Sequence, residues 1–592
     1  MGNSNGNLHL YWQEVWNKDI PRFQGGFIWD MIDQGLRVPQ HASEDFYFAY
    51  GGDFGDTIND RQFCINGMFT PDREPHPAVT EIKFLQQPVV FNAKEAYLDS
   101  KNLRIVVSGK NPDYRAMVKL DVQNRYTFRD LSHIIWSWQL TSNRSVDLIR
   151  KKNFEVPSRG FGDVTIDLGG AISRVIQLER TKPEDCENSY FLNIRGRLNK
   201  DQPWAGAGHL LVSQQFPVRF VWTDIAIPPR TPIRPRAQAR LKPEIMAEST
   251  ESRVAILLKI GGTSSTLAVF DKSTGCLVSY CPHGRNVLTA PLGPNFCRPA
   301  TDNDKGGMEL VLDHMFPFEW VKDVFRKVVG SADFSYHSHW SLAGLTPDRP
   351  PILRCREFTV TEVLLGSHYS CKAHVEARHA VFGNALMDVD LTWAIFADGR
   401  LKVNQKVMPR RILKRLSSLP RVGCSMQLDP SLFNINYFGR GPTENYIDRK
   451  AGSEMGQWAS TVADFGYLGY IVPGENGSRS NCEWLSLRAE SGEGLLVIAD
   501  QNTFSCSALC HTSAELEKAE HTCDLSPAAN GISPVNVCID HKMMGLGGDN
   551  SWFPVVYKPY LIRPDETFEY DITIRPLEKD EDPALLARGF QK

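Results

Sequence analysis

From about residue 88 to its C-terminus, the chain places apolar side chains at every second position. Val118, Leu120 and Val122 alternate with Lys119 and Asp121. Met387, Val389, Leu391, Trp393 and Ile395 alternate with polar or small neighbours. Side chains of a strand point alternately to opposite faces, so this period writes strands with one buried face. Asp398-Gly399 supplies a hairpin turn after the second run. Short strands with turn signals between them continue to the end, which predicts β-sandwiches.

The first ninety residues follow another grammar. Leu8-His-Leu-Tyr-Trp-Gln-Glu-Val-Trp16 puts Leu8, Trp12 and Val15 or Trp16 on one helical face. Pro21 follows, and residues 23–30 read as a buried strand ending in the pair Trp29-Asp30. A helix, then a buried strand with polar residues at its C-terminal end, is the pattern of an α/β barrel. Residues 53–67 are too rich in Gly and Asp for either element and read as an ordered loop, and 77–86 return to helix. Residues 308–326 also read as helical. The clearest boundary is 223–252, where Pro228-Pro-Arg-Thr-Pro-Ile-Arg-Pro-Arg236 is extended and basic, as a linker would be.

Composition narrows the function classes. At roughly 150 residues per domain, 592 residues make about four domains. Lys+Arg is 66 and Asp+Glu 69, a formal charge of −3, which excludes a nucleic-acid binder working by bulk electrostatics. No apolar run approaches the roughly 18 residues of a membrane span; Val254 to Ile260 is among the longest and carries Lys259. The N-terminus shows no secretory hydrophobic region, and Gly6 stands where a myristoylation signal wants Ser or Thr. A cytoplasmic protein with no membrane partner is expected. The 13 cysteines are scattered and odd in number, which fits reduced thiols. Cys506, Cys510 and His511 are the only cluster resembling a metal site, and no second pair stands at zinc-finger spacing. The sequons at Asn143 and Asn476 carry no meaning without a signal peptide.

Three segments carry candidate chemistry. Trp29-Asp30 reads either as an aromatic wall for a sugar ring beside a polar anchor, or as core. Residues 53–67 hold three Asp, two Asn and several usable carbonyls, so they suit a hard cation or a hydrogen-bonded turn equally well. Residues 544–552 form a flexible Gly loop presenting one large aromatic, Trp552, with no P-loop Lys or strand–loop–helix pattern to make it a phosphate cradle.

Together, several stretches resemble the glycoside hydrolase family 2 β-galactosidases of bacterial type. They are Met1-Gly-Asn-Ser4, Gln24-Gly-Gly-Phe-Ile-Trp-Asp30, Tyr50-Gly-Gly-Asp-Phe-Gly-Asp56, Asn59-Asp-Arg-Gln-Phe-Cys-Ile-Asn-Gly67 and Pro71-Asp-Arg-Glu-Pro-His-Pro77. Pro299-Ala-Thr-Asp-Asn-Asp-Lys305, Phe438-Gly-Arg-Gly-Pro-Thr-Glu-Asn-Tyr446, Pro473-Gly-Glu-Asn-Gly-Ser-Arg479 and the segment 541–552 complete the set, in the family's order. The resemblance implies a mainly β, multidomain chain. Residues 1–87 match the C-terminal end of a (β/α)8 barrel, 88–222 an immunoglobulin-like β-sandwich, 223–252 a linker, and 253–592 the large terminal β-sandwich called the small chain.

The resemblance also implies an activity: hydrolysis of terminal β-D-galactose from β-D-galactosides such as lactose. The family does this with retention, using two Glu carboxylates roughly 5.5 Å apart. Both, and the family's Glu/His/Glu magnesium ligands, fall upstream of the segment matched here, so the chain alone is expected to be inactive. By the same resemblance Trp29 is the wall against galactose. The Phe63 carbonyl and the Asn66 side chain ligate sodium, Asn59 lies near a second magnesium position, and Trp552 is the platform for the leaving-group sugar. The cation sites are then incomplete in this chain. Expected partners are a galactoside and either a complementing N-terminal chain or a homo-oligomer. The alternatives are a non-catalytic small subunit or a carbohydrate-binding module.

Overall fold

The computed structural model describes residues 2–587, except 18, 40–45, 95–97, 100–101, 111–112, 143–147, 153–155, 181–188, 224–243, 261, 307–319, 322–334, 364–367, 526–532 and 550–553. Almost all of the expected helix 308–326, the Asn143 sequon, most of the linker 223–252, and Trp552 lie outside the described residues. The chain divides into two compact units. One comprises Met1–Glu81, Arg240–Ser453 and Trp458–Pro583; the other comprises Ile82–Ala239, Glu454–Gln457 and Ala584–Lys592.

The second unit is an immunoglobulin-like β-sandwich. Its central path runs Val89–Ala93, Asp113–Asn124, Asn102–Lys110, Leu210–Trp222, Tyr190–Leu198, Ile134–Ser142 and Leu148–Lys152, with one parallel pairing between Leu210–Trp222 and Asn102–Lys110. The period-two reading of residues 118–122 holds: Val118, Leu120 and Val122 are fully buried. Phe91 and Trp136 meet edge to face among them, at 5.2 Å between centroids.

The first unit packs two large antiparallel sheets. One has nine strands, from Glu244–Ser249 through Arg253–Ile260, Thr263–Asp271, Leu277–Tyr280, Leu288–Asn295, Arg421–Leu428, Val535–Met543 and Phe504–Leu509 to Arg479–Cys482. The other begins at the edge strand Ile352–Val363. It continues through His368–Arg378, Ala385–Phe396, Leu401–Pro409, Phe568–Leu577, Gly494–Ala499 and Trp484–Arg488 to Asn434–Gly441. Met387, Val389, Leu391, Trp393 and Ile395 point into the layer between the sheets and are at most 1 % exposed. Phe270 of the facing sheet packs on Trp393 at 5.3 Å. The turn after Ala385–Phe396 forms where Asp398-Gly399 predicts it, with Asp398 Oδ1 accepting the Arg400 N–H at 3.1 Å. One boundary moves. Glu244–Ser249 pairs antiparallel with Arg253–Ile260, so the last part of the segment expected as linker is an edge strand. The Pro-rich composition that marks the linker stops at Pro243, just before it.

Residues 2–81 contain helix Leu8–Val15, the short hairpin Leu36–Pro39 with Phe46–Ala49, and a 3₁₀ turn at Arg61–Cys64; helix Ala78–Leu85 follows. Both helices stand where the apolar spacing places them. The expected buried strand at 23–30 does not form: the segment is irregular, Phe27 is fully exposed and Trp29 is 77 % exposed. A strand becomes a strand by pairing, and among the described residues nothing pairs with 23–29. The nearest ladder contact is a single bridge between Ile32 and Phe69.

Candidate functional site

The loop at 50–67 is organised by its own carboxylates and amides. Asp53 Oδ2 accepts the Tyr50 N–H at 2.7 Å and stands 2.9 Å from His521 Nε2, whose ring stacks on Tyr50. Asp56 Oδ1 accepts the Gly52 N–H at 3.0 Å. Asn59 Oδ1 accepts the Arg61 N–H at 3.0 Å, and its Nδ2 donates to the Asp56 carbonyl at 2.9 Å. Of the two readings of this loop, the hydrogen-bonded turn therefore accounts for Asp53, Asp56 and Asn59. The loop faces a cleft of about 500 Å³ whose walls include Asn59, Arg61, Asp302, Lys305 and Glu517.

Phe63 and Asn66 behave differently. The 3₁₀ turn brings them together, so that Asn66 Nδ2 donates to the Phe63 carbonyl at 2.8 Å. Asn66 is 9 % exposed, and its Oδ1 is buried without a hydrogen-bond partner among the described residues. A buried acceptor left without a donor is unfavourable by itself. Turning the amide over would set Oδ1 beside the Phe63 carbonyl, two hard oxygens converging as a small hard cation requires. The residues present fit the sodium site implied by the resemblance.

The Trp29-Asp30 pair is fastened to this turn by backbone. Asp30 N–H donates to the Asn66 carbonyl at 2.8 Å, and Met68 N–H to the Asp30 carbonyl at 3.0 Å. Trp29 is thus held next to Asn66, and its ring is in the open in this chain. Below it, Asp33 accepts the Gly67 N–H at 2.7 Å with one oxygen and meets His76 Nε2 at 2.7 Å with the other. His76 Nδ1 in turn lies 2.9 Å from Tyr467 Oη. Burial, with the Glu444 and Asp33 carboxylates nearby, pushes the Tyr467 phenol well up. Asp33 and Tyr467 escaped the sequence reading. His76 stood in a quoted motif, but nothing in the sequence gave it a partner.

The other motifs build a buried polar network. Arg449 donates to Asn3 Oδ1 at 2.6 Å, to Asn5 Oδ1, and to Glu444 Oε1 at 2.7 Å. Glu444 also takes the Gly477 N–H at 2.6 Å and lies 2.5 Å from Tyr470 Oη. Asn3 Nδ2 donates to the Glu475 carbonyl at 2.7 Å, and the Glu475 carboxylate shares Arg421 with Asp540 at 3.1 and 3.2 Å. Two carboxylates around one guanidinium, all buried, leave one negative charge too many. Burial accordingly pushes the Asp540 carboxyl up to about 7. Arg298 and Asp304 pair at 2.8 Å, both fully buried, behind a capping box formed by Thr301 and Asp304.

The segment after His541, expected as a flexible Gly loop, is packed over its described part. Met544 and Leu546 have no exposed surface. Gly547 donates to Asp448 Oδ2 at 2.8 Å, and its carbonyl accepts the Gly6 N–H at 2.7 Å. Gly547 has a φ of 62°, and a Cβ there would come within 1.9 Å of the Val555 carbonyl oxygen, so only glycine lets the chain pass. Every described cysteine is a free thiol; Cys506 is buried in its strand, its Sγ 3.6 Å from that of Cys482. No helix among the described residues is long and apolar enough to cross a membrane.

Comparison with known proteins follows the same division of the chain. The family described as beta galactosidase small chain matches residues 262–574, more than half of the sequence. The chain belongs to glycoside hydrolase family 2, in its β-galactosidase branch. The family 2 TIM barrel domain matches residues 1–91, and β-galactosidase domain 4 matches 120–219. Residues 1–91 are therefore the C-terminal end of the family 2 barrel, which explains why a strand expected there finds no neighbour in this chain. Relatives in the same branch include the β-galactosidase of Vibrio cholerae serotype O1, 31 % identical over 575 residues, covering 97 % of this chain and 47 % of the relative. That of Alteromonas mediterranea is 31 % identical over 584 residues, with 97 % and 48 % covered. That of Priestia megaterium is 27 % identical over 579 residues, with 98 % and 47 % covered. The chain spans about half the length of the curated relatives it matches.

Proposed function

We propose that these 592 residues supply the C-terminal half of a retaining β-galactosidase and have no turnover by themselves. In this reading the nucleophile and acid/base Glu come from barrel residues outside this sequence, joined in cis or supplied by a complementing chain. A retaining glycosidase needs one carboxylate to form the glycosyl intermediate and another to protonate the leaving oxygen. The residues here hold and shape the site. Trp29 presents its face to galactose, and Trp552 receives the leaving-group sugar. The Phe63 carbonyl and Asn66 Oδ1 would hold sodium, with Asn59 near a magnesium position. Sodium bound there supplies a fixed positive charge for a sugar hydroxyl; the chain's own part is to set the two oxygens and the Trp29 wall on one backbone clamp.

The observation that carries this reading is the buried, partnerless Asn66 Oδ1 beside the Phe63 carbonyl, on a turn that also anchors Trp29. The test is to assay the purified chain against nitrophenyl β-galactoside, alone and mixed with a family 2 N-terminal fragment that ends after the nucleophile Glu. Turnover only in the mixture supports the proposal. Turnover by the chain alone, or none in a mixture whose fragments co-elute, would sink it.

A further inference from the structure

Away from that site, three side chains from separate turns of the first unit converge near its surface. His283 lies between strands Leu277–Tyr280 and Leu288–Asn295. Glu493 lies in the turn joining Trp484–Arg488 to Gly494–Ala499, and Glu578 directly follows Phe568–Leu577. One ligand atom from each, an imidazole nitrogen and two carboxylate oxygens, stand within 4.8 Å of one another.

The histidine's tautomer follows from its surroundings. His283 Nε2 lies 3.3 Å from the Gly494 carbonyl oxygen. A carbonyl only accepts, so Nε2 carries a proton, which leaves Nδ1 as the ring nitrogen on the carboxylate side. Nδ1 is 3.9 Å from Glu578 Oε1. That gap is too wide for a hydrogen bond, yet shorter than two metal–ligand bonds of about 2.0–2.1 Å laid end to end. The groups leave room for an ion between them, which they would reach by a small inward rotation of the carboxylates.

The backbone carrying the two acids is held in place. Arg488 donates to the carbonyls of Gly492, Glu578, Lys579 and Glu581, which ties the 489–494 turn to the segment after residue 577. Gly492 sits at a φ of 92°, and a Cβ there would come within 2.8 Å of Lys579 Cγ, so the turn closes directly onto that segment. Side-chain rotation of Glu493 and Glu578 is the adjustment left for closing on a ligand.

We propose that His283, Glu493 and Glu578 form a binding site for one divalent transition-metal ion of the zinc type. Imidazole nitrogen and carboxylate oxygen are both zinc donors, and three protein ligands leave a fourth, tetrahedral position for water. The Nε2–H bond to a backbone carbonyl is the outer contact that fixes which ring nitrogen faces the metal. Two carboxylates beside a neutral imidazole balance the dication, and the ion staples three turns that lie far apart in sequence.

Cobalt(II) titration of the full chain tests this, because cobalt reports its own ligands. One equivalent should bind with the d–d absorption of a nitrogen and oxygen site, without thiolate charge transfer from any cysteine, and zinc should displace it. Glu493→Gln should weaken binding roughly tenfold or more. His283→Asn should do the same while keeping a donor for the Gly494 carbonyl, so that the fold survives. Zinc should raise the melting temperature of the native chain and leave that of both variants unchanged. Failure to retain cobalt, a thiolate spectrum, or unchanged affinity in both variants would overturn the proposal and leave His283 and Glu578 as an ion pair only.

Discussion

The guanidinium of Arg449 holds the side-chain oxygen of Asn3 at 2.6 Å across 446 residues of chain. On its other side it meets Glu444 at 2.7 Å, with both side chains only 2 % exposed. Breaking a buried pair leaves a charge without compensation, which costs about 3–5 kcal/mol. Arg449→Ala should lower unfolding stability by that order, and Arg449→Lys should recover only part of it because Lys cannot span Asn3, Asn5 and Glu444 together. Urea unfolding at fixed pH measures the loss. A change below about 1 kcal/mol would mean that the network is not held by this residue.

Asp540 makes stability depend on pH. Its folded value of about 7 lies above the ordinary 3.8, so between about pH 4 and 7 the folded state keeps a proton that the unfolded state has lost. Stability therefore falls as pH rises through that window, by a few kcal/mol at most, and levels off above it. His541 works in the opposite direction. Burial pushes it down to about 4, so its contribution is present above about 6.5 and is lost as pH falls. The two windows overlap, and the informative quantity is the difference between the native chain and Asp540→Asn. The variant should be relatively more stable at pH 8 than at pH 5 when the two melts are compared. A difference independent of pH would refute the assignment.

In the complemented enzyme, Trp29→Ala should reduce kcat/KM for every galactoside if, as proposed, its ring faces the sugar that all substrates share. Trp552→Ala should mainly weaken binding of the leaving-group sugar and act most on lactose. Each loss should be on the order of 1–3 kcal/mol, the scale of one large apolar contact. Lactose and an aryl galactoside assayed in parallel separate the two roles. Unchanged lactose hydrolysis in Trp552→Ala would remove the 544–552 segment from the site.

Asn66→Ala tests the sodium cradle. It removes the buried oxygen while leaving the Phe63 carbonyl, so folding stability should change by no more than about 1 kcal/mol. The sodium concentration giving half-maximal activity in the complemented enzyme should rise roughly tenfold, a loss of about 1.4 kcal/mol in binding. Activity that falls equally at all sodium concentrations would assign Asn66 a structural role instead.

The strands were legible because their burial is decided locally. Val118 to Val122 and Met387 to Ile395 need only one covered face, and period two announces it. Residues 23–30 misled for the converse reason: their apolar run describes a strand among neighbours, and without them Phe27 and Trp29 stand in solvent. At 223–252 a Pro-rich composition hid a short edge strand that pairs with the very next element. The resemblance pointed to Phe63 and Asn66, and the 3₁₀ turn sets the two side by side. The chain of Asp33, His76 and Tyr467 was not legible, since a contact between residues 76 and 467 leaves no local mark in either segment.

The bond from Asn7 to Asp549 spans 542 residues, and that from Arg449 to Asn3 nearly as many. Closing such loops costs entropy before any contact returns it, so contacts of this reach form late. During synthesis residues 3–7 leave the ribosome long before the groups that will hold them. Until residue 549 has emerged, the exposed aromatics from Phe23 to Trp29 belong to a segment without a completed dock.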